Sequence, residues 1–126
     1  MTTFNPSQKV TKEAAKDFTD LRYTFVTIDT DGKVTTPSAI TNQIFGVIQN
    51  EPVTGQAASI QPLGSGGTSL IVLGATLDEG VMVSTEAATG KAIAAASTAV
   101  PVGPLLQGGA EDEYGEVLLS SSTVDA

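Results

Sequence analysis

The sequence has 126 residues, of which 40% are apolar and 5% are aromatic, and its formal net charge is −8. It contains no Cys and no His, which excludes disulfides and thiolate metal sites and removes the commonest general base and transition-metal ligand. The acidic balance predicts no direct nucleic-acid partner, because phosphate binding needs clustered Lys and Arg. The length suits one domain.

The first 22 residues differ in charge from the rest. They carry four cations and three anions, whereas residues 23–126 carry two cations and eleven carboxylates. This split predicts an N-terminal arm at 1–22 that is extended around Pro6. A weak helical signal over 11–21 comes from apolar residues at spacings of three and four, namely Ala14, Ala15, Phe18 and Leu21. Two interpretations stay open: a frayed end, or an arm that docks on a neighbouring molecule.

Short strands follow in chain order. Residues 23–28 favour a strand, and Asp31-Gly32 predicts a hairpin to residues 33–35, because both central residues of a tight turn need positive φ. Residues 69–73 are a continuous apolar run, which predicts a strand buried on both faces. The remaining candidates are residues 43–49, 56–63, 81–83, 91–93, 105–106 and 117–119, with residues 94–100 ambiguous between strand and loop.

About nine short strands separated by turn residues indicate an all-β fold, a small β-barrel or sandwich. We expect this body at residues 23–120, with a tail at 121–126. One pattern occurs twice, 57 positions apart: a Gly-led strand at 46–49, a loop, and a Gly-led strand from residue 55, then the same at 103–107 and 115–119. This repeated pattern suggests that the chain has two similar halves.

Three motifs invite a chemical role, and a turn or loop explains each of them better. The Asp-Thr-Asp-Gly segment at 29–32 opens like a calcium loop, but its twelfth position, where a bidentate Glu is needed, is Ile40. The Gly-Ser-Gly-Gly segment at 64–67 lacks the Lys of a phosphate-binding loop. Paired carboxylates at 78–79 and 111–113 could serve a glycosidase, but a solvated acidic loop explains the same residues. The sequence predicts no catalytic, metal or cofactor site and no enzyme activity.

Neither a signal peptide nor a membrane span is expected. Residues 1–10 lack an apolar run. The longest apolar run, residues 70–77, is far shorter than the ~20 residues that cross a bilayer. We therefore expect no membrane partner.

A sequence pattern in the second half is similar to that of a known family. Leu-Asp-Glu-Gly-Val-Met-Val at 77–83 leads through Thr-Gly-Lys at 89–91 to Val-Gly-Pro-Leu-Leu at 102–106, and an acidic loop precedes Gly-Glu-Val-Leu-Leu at 115–119. This pattern resembles the sequences of the capsid decoration (cement) proteins of tailed bacteriophages, over roughly residues 23–120.

The resemblance implies a virion structural protein that is not an enzyme, is made in the host cytoplasm and lies on the capsid surface. Such proteins are small β-barrels that bind the outside of the expanded capsid, commonly as homotrimers, and brace it. Their N-terminal arms contact the major capsid protein, sometimes by strand addition. Carried onto this sequence, the capsid-binding residues would be the apolar members of the arm: Phe4, Pro6, Val10 and Phe18.

A second function fits the same composition. This is a carbohydrate- or cell-surface-binding β module, such as a head fibre or adhesin domain. Such a module presents an aromatic platform to its ligand. Beyond residue 45 the sequence offers only Tyr114 for this purpose.

Overall fold

The structure, a computed structural model, describes residues 10–64 and 67–119. This part of the chain forms ten strands and no helix, which confirms the predicted all-β fold. Small and β-branched residues dominate the strands, as a pleated, half-buried surface favours. The strands are β1 (Val10–Glu13), β2 (Phe25–Ile28), β3 (Val34–Thr35), β4 (Gly46–Ile48), β5 (Ala57–Pro62), β6 (Thr68–Val72), β7 (Met82–Thr85), β8 (Ala92–Ala94), β9 (Gly103–Gln107) and β10 (Tyr114–Leu118).

The strands form two five-stranded sheets of the same topology. The first has the order β1-β5-β4-β2-β3 and the second β6-β10-β9-β7-β8, and every pairing between these strands is antiparallel. Each sheet curls until its two edges meet, through parallel bridges between Ala14 and Val34 and between Leu73 and Ala92. We call residues 10–63 the first repeat and residues 68–119 the second repeat.

The repeats match at the 57-position offset seen in the sequence over β2, β4 and β5. The pairing partners place β3 and β8 at an offset of 58, and β1 and β6 at an offset of 59, so that Val10 corresponds to Ser69. Phe25 pairs with Val47, and 57 positions later Met82 pairs with Pro104. Ile48 pairs with Ile60, as Leu105 does with Val117. The correspondence extends to a loop side chain: Gln56 Oε1 accepts from Val53 N–H at 3.0 Å, and Glu113 Oε1 accepts from Ala110 N–H at 2.8 Å. The two halves are therefore similar in structure as well as in sequence.

Two apolar cores fill the molecule. The first lies wholly within the first repeat and contains Ala14, Phe18, Val26, Val34, Ile48, Ala58 and Ile60. The second joins residues of the second repeat with three that the first repeat contributes, Phe25, Ile44 and Val47. Its second-repeat members are Ile71, Leu73, Val83, Ala92, Val102, Leu105, Val117 and Leu119. The first repeat thus has a core of its own, whereas the second shares its core with the first.

The predicted hairpin at Asp31-Gly32 is present, but its turn differs from the expected one. Only Gly32 has positive φ, at 78°. Asp29 N–H donates to Lys33 O at 2.8 Å, and Asp29 Oδ1 accepts from the Asp31 and Lys33 amides. This is a three-residue loop with Gly in the left-handed position. The Asp29 side chain stabilises it by accepting hydrogen bonds from the Asp31 and Lys33 amides.

Two local predictions were wrong. Residues 11–21 form no helix: residues 10–13 are β1, and Asp20 and Tyr23 both have positive φ, which a helix does not accommodate. Residues 69–73 are not buried on both faces, because alternate side chains of β6 point into the core: Ser69 and Ile71 are buried and Leu70 is exposed. In both segments tertiary pairing decides the structure, and the apolar pattern alone does not reveal it.

Candidate functional site

The predicted capsid-binding residues fall in three different settings. Phe4 and Pro6 lie outside the described residues. Val10 begins β1 and pairs with Ile60, so the chain from this point on belongs to the first sheet. Phe18 is fully buried in the core of the first repeat, so its side chain is not exposed for binding as part of an arm. Ala14 N–H donates to Gln56 O and Phe18 N–H to Pro52 O, which fixes this stretch on the repeat.

Three of the five carboxylates that sequence reasoning weighed for catalysis, Glu79, Asp112 and Glu113, have partners in nearby loops. Glu79 Oε2 accepts from Gly108 N–H at 3.0 Å, and this hydrogen bond lowers the pKa of Glu79. Asp112 Oδ1 forms an ion pair with Lys91 Nζ at 2.8 Å, and this contact raises the pKa of Lys91. Glu113 caps the Ala110 amide. These side chains stabilise the loops around β9 and β10. Among the described residues, no three acidic side chains come together as a metal site would require.

Tyr114, the candidate sugar platform, belongs to an aromatic cluster that sequence reasoning did not predict. Its ring is 57% exposed and meets the Tyr23 ring edge-on at 5.6 Å between centroids. The Arg22 guanidinium lies over the other ring, 4.7 Å from the Tyr23 centroid, and donates to Gln49 O. Tyr23 and Tyr114 are far apart in sequence and come together only because the repeats pack, so no local signal could have found the pair.

An open cavity and an exposed apolar face lie on different repeats. The cavity, of about 390 Å³, is on the first repeat and is lined by Thr27, Ile28, Gln43, Ile44, Phe45, Pro62, Leu63 and Gly64. The outer face of the second sheet exposes Met82 and Leu106, by 46% and 47%. Contiguous exposed apolar area marks a binding surface, and Met82 and Leu106 lie on the neighbouring strands β7 and β9.

No described helix of the chain has the length and apolar content that crossing a membrane requires.

The fold defines a class: two equivalent, curled, five-stranded antiparallel sheets in tandem. A solved structure of this class is the N base of head fiber gp8.5 in bacteriophage phi29, which superposes with a TM-score of 0.69. The alignment covers 94% of this chain and 98% of that one, at 15% sequence identity. At this identity the likeness establishes a shared fold. No protein-family model and no curated protein matches the sequence.

Proposed function

We propose that this protein is a structural protein of a bacteriophage virion that decorates the outside of the capsid. The observation that carries the proposal is the fold, which over 94% of the chain is that of a phage head fibre base. Two properties of the sequence support it. Histidine and cysteine are absent, and the net charge of −8 keeps a surface protein away from the packaged nucleic acid.

The proposed partner is the major capsid protein, which the chain binds partly through its N-terminal arm as a homotrimer. Strand β1 and Phe18 belong to the first repeat. The residues that we propose for capsid binding are therefore those of 1–9, including Phe4 and Pro6, and the partly exposed Val10. Three weak arms on one trimer bind more strongly than one, because the second and third contacts form within a complex that already exists. The proposed location is the capsid surface, after synthesis in the host cytoplasm.

The test is co-sedimentation of the purified protein with expanded capsids of its phage. Deletion of residues 1–9 should reduce binding by about tenfold or more, as losing one anchor per subunit from a multivalent contact does. Phe4→Ala should reduce it in the same direction. Deletion of residues 1–22 is not informative, because it also removes β1 and the buried Phe18.

A matched control is Val53→Ala, which alters an exposed apolar side chain in a loop of the first repeat and should leave binding unchanged. Circular dichroism of each variant checks that the sheets are intact. Full binding after deletion of residues 1–9 would remove the arm from the proposal. A protein that never sediments with capsids would overturn the decoration role.

A second function is favoured by one specific observation, the cluster of Arg22, Tyr23 and Tyr114. An exposed Tyr ring beside a cation is a surface on which a sugar ring can stack while its hydroxyls are hydrogen-bonded. We therefore keep carbohydrate or cell-surface binding as the alternative. Binding on a glycan array that disappears in Tyr114→Ala, with capsid binding absent, would favour this function over decoration.

A further inference from the structure

The two repeats touch each other through different surfaces. The first repeat uses β2, β4 and the β3–β4 loop (residues 36–45), and the second uses β6, the β7–β8 turn (residues 86–91) and the residues before β9. These backbone hydrogen bonds cross the contact: Phe25 N–H to Gly90 O at 2.7 Å, Val72 N–H to Tyr23 O at 2.9 Å, Ala88 N–H to Pro37 O at 2.8 Å and Val100 N–H to Ile40 O at 3.3 Å.

The contact is one-sided. A two-fold relation between the repeats would make every contact twice, with the roles of the repeats exchanged. Gly32 is the equivalent of Gly90, yet a Cβ on Gly32 would meet nothing within 4 Å, whereas one on Gly90 would lie 2.5 Å from Phe25 O. Met82 is the equivalent of Phe25, yet it is exposed while Phe25 is fully buried. Each contacting surface therefore has an unused equivalent on the other repeat.

The first unused surface, which we call surface A, lies on the second repeat. It consists of the positions equivalent to those that the first repeat buries in the contact. Phe25, Val47 and Gln49 correspond to Met82, Pro104 and Leu106. The part of the β3–β4 loop around Pro37 and Ile40 corresponds to residues 95–98 of the β8–β9 loop. Residues 96–98 of that loop are exposed.

The second unused surface, surface B, lies on the first repeat and includes the cavity. Its other members are Val10, Lys12 and the turn at residues 29–33. The cavity opens beside residues whose equivalents in the second repeat are buried. Its lining residues Thr27, Ile28, Gln43, Phe45 and Pro62 are partly or largely exposed, whereas their equivalents are all buried: Ser84, Thr85, Val100, Val102 and Leu119. Val100 there is hydrogen-bonded to the β3–β4 loop of the first repeat.

We infer that surface A of one copy of this chain packs on surface B of a second copy, in the same geometry by which the first repeat packs on the second. The β8–β9 loop would then enter the cavity, as the β3–β4 loop covers its equivalent within the chain. Met82 would lie on the turn at residues 29–33. Leu106 would meet Val10 of the next copy, because their equivalents Gln49 and Ser69 are in contact, with Gln49 Nε2 donating to Ser69 Oγ at 2.9 Å.

The sequence difference at one of these pairs agrees with a contact between copies. Gln49 and Ser69 form a polar pair inside one chain, and the equivalent pair, Leu106 and Val10, is apolar on both sides. Leu106 is 47% exposed in the single chain, where it has no such neighbour. A heterologous contact of this kind closes into a ring or continues as a filament. The number of copies rests on the proposed homotrimer, but the contact itself does not depend on capsid binding.

The test uses the absence of Cys from the sequence, which makes each introduced thiol unique. Leu106→Cys and Val10→Cys are prepared as separate full-length proteins, mixed, and treated with a short bismaleimide. The mixture should give a covalent dimer, and each protein alone should not. Gln49→Cys combined with Ser69→Cys is the matched control, since it should cross-link within one chain.

The outcomes separate the possibilities. No mixed dimer, while the control reacts, overturns the contact. A dimer from Leu106→Cys alone would mean that two copies meet face to face, which also overturns it. Light scattering provides a second measurement: Met82→Glu and Leu106→Glu should weaken self-association by about tenfold or more, because a charge would be buried without a partner. Val53→Glu, at an equally exposed apolar position, should leave it unchanged, and equal weakening by all three would contradict the proposal.

Discussion

The first and second repeats share one fold but complete their cores differently. The core around Phe18 and Ile48 closes with residues of the first repeat alone, whereas the core around Leu73 and Leu105 includes Phe25, Ile44 and Val47 from the first. Equivalent positions therefore have opposite environments, as Phe25 is buried and Met82 is exposed. The difference teaches that two repeats of one fold can meet through unlike faces, which leaves the equivalent face of each repeat outside the contact.

The largest expected effect separates the two cores. Phe18→Ala and Phe25→Ala should each lower the free energy of unfolding by about 3–5 kcal/mol, the cost of emptying a buried Phe site. The location of the damage should differ: Phe18→Ala should speed amide hydrogen exchange in β1–β5, and Phe25→Ala in β6–β10. Equal acceleration in both repeats by both variants would mean that the two cores open as one unit.

The next effect compares two glycines with almost the same backbone. Gly32 and Gly90 have φ of 78° and 74°, so an Ala at either position carries a left-handed strain of about 1–2 kcal/mol. Only at Gly90 would the new Cβ strike the Phe25 carbonyl, which should add about 1–3 kcal/mol. Chemical denaturation of Gly32→Ala and Gly90→Ala measures the difference. Equal losses of unfolding free energy in the two variants would show that the contact between the repeats adjusts to the Gly90→Ala side chain without loss of stability.

A smaller effect compares two equivalent hydroxyls. Thr27 Oγ1 donates to Gln43 O at 2.7 Å, whereas buried Ser84 Oγ has no partner among the described residues. Thr27→Val should therefore lower the free energy of unfolding by about 0.5–1.5 kcal/mol. Ser84→Ala should leave it unchanged or raise it by up to ~1 kcal/mol. A clear loss of stability in Ser84→Ala would mean that its hydroxyl is hydrogen-bonded in solution.

The smallest effect concerns the ion pair of the second repeat. Asp112→Asn removes the charge that faces Lys91 and should lower stability by less than about 1 kcal/mol, as surface pairs do. Because the pair raises the pKa of Lys91 above its ordinary value of 10.5, its contribution is fully present below that pH and is lost as the pH rises through the folded-state value. Thermal melts of both proteins should differ at pH 8 and converge at high pH. A difference that grows with rising pH would contradict this sign.

Much of the fold was predictable, and the failures share a cause. The alternation of short apolar runs and turn residues indicated the all-β class, and the 57-position echo located the equivalent strands β4 and β9. The helix at 11–21 was wrong because Ala14 and Phe18 at a spacing of four also fit a strand followed by an irregular segment. The prediction that residues 69–73 are buried on both faces was wrong, because a continuous apolar pattern does not show that one face of the strand is exposed.

The candidate surfaces were less predictable than the fold. Surface A and the Tyr23–Tyr114 contact depend on how one repeat is placed on the other, and this placement leaves no periodic signal in the sequence. Leu106 shows the difficulty. Beside Leu105 it is simply part of an apolar strand, and only the pairing with β10 places one of the two inside and the other outside.

The strand order also governs how the chain can fold during synthesis. In each sheet the last strand, β5 or β10, is inserted between the first and the fourth, so a sheet cannot form until its final residues have left the ribosome. Domains generally fold as units in the order in which they are made. The first repeat needs nothing from the second to fill its core, so it can be complete at residue 62. Phe25 and Val47 are then already in position when the second repeat is made, and its core can assemble on them.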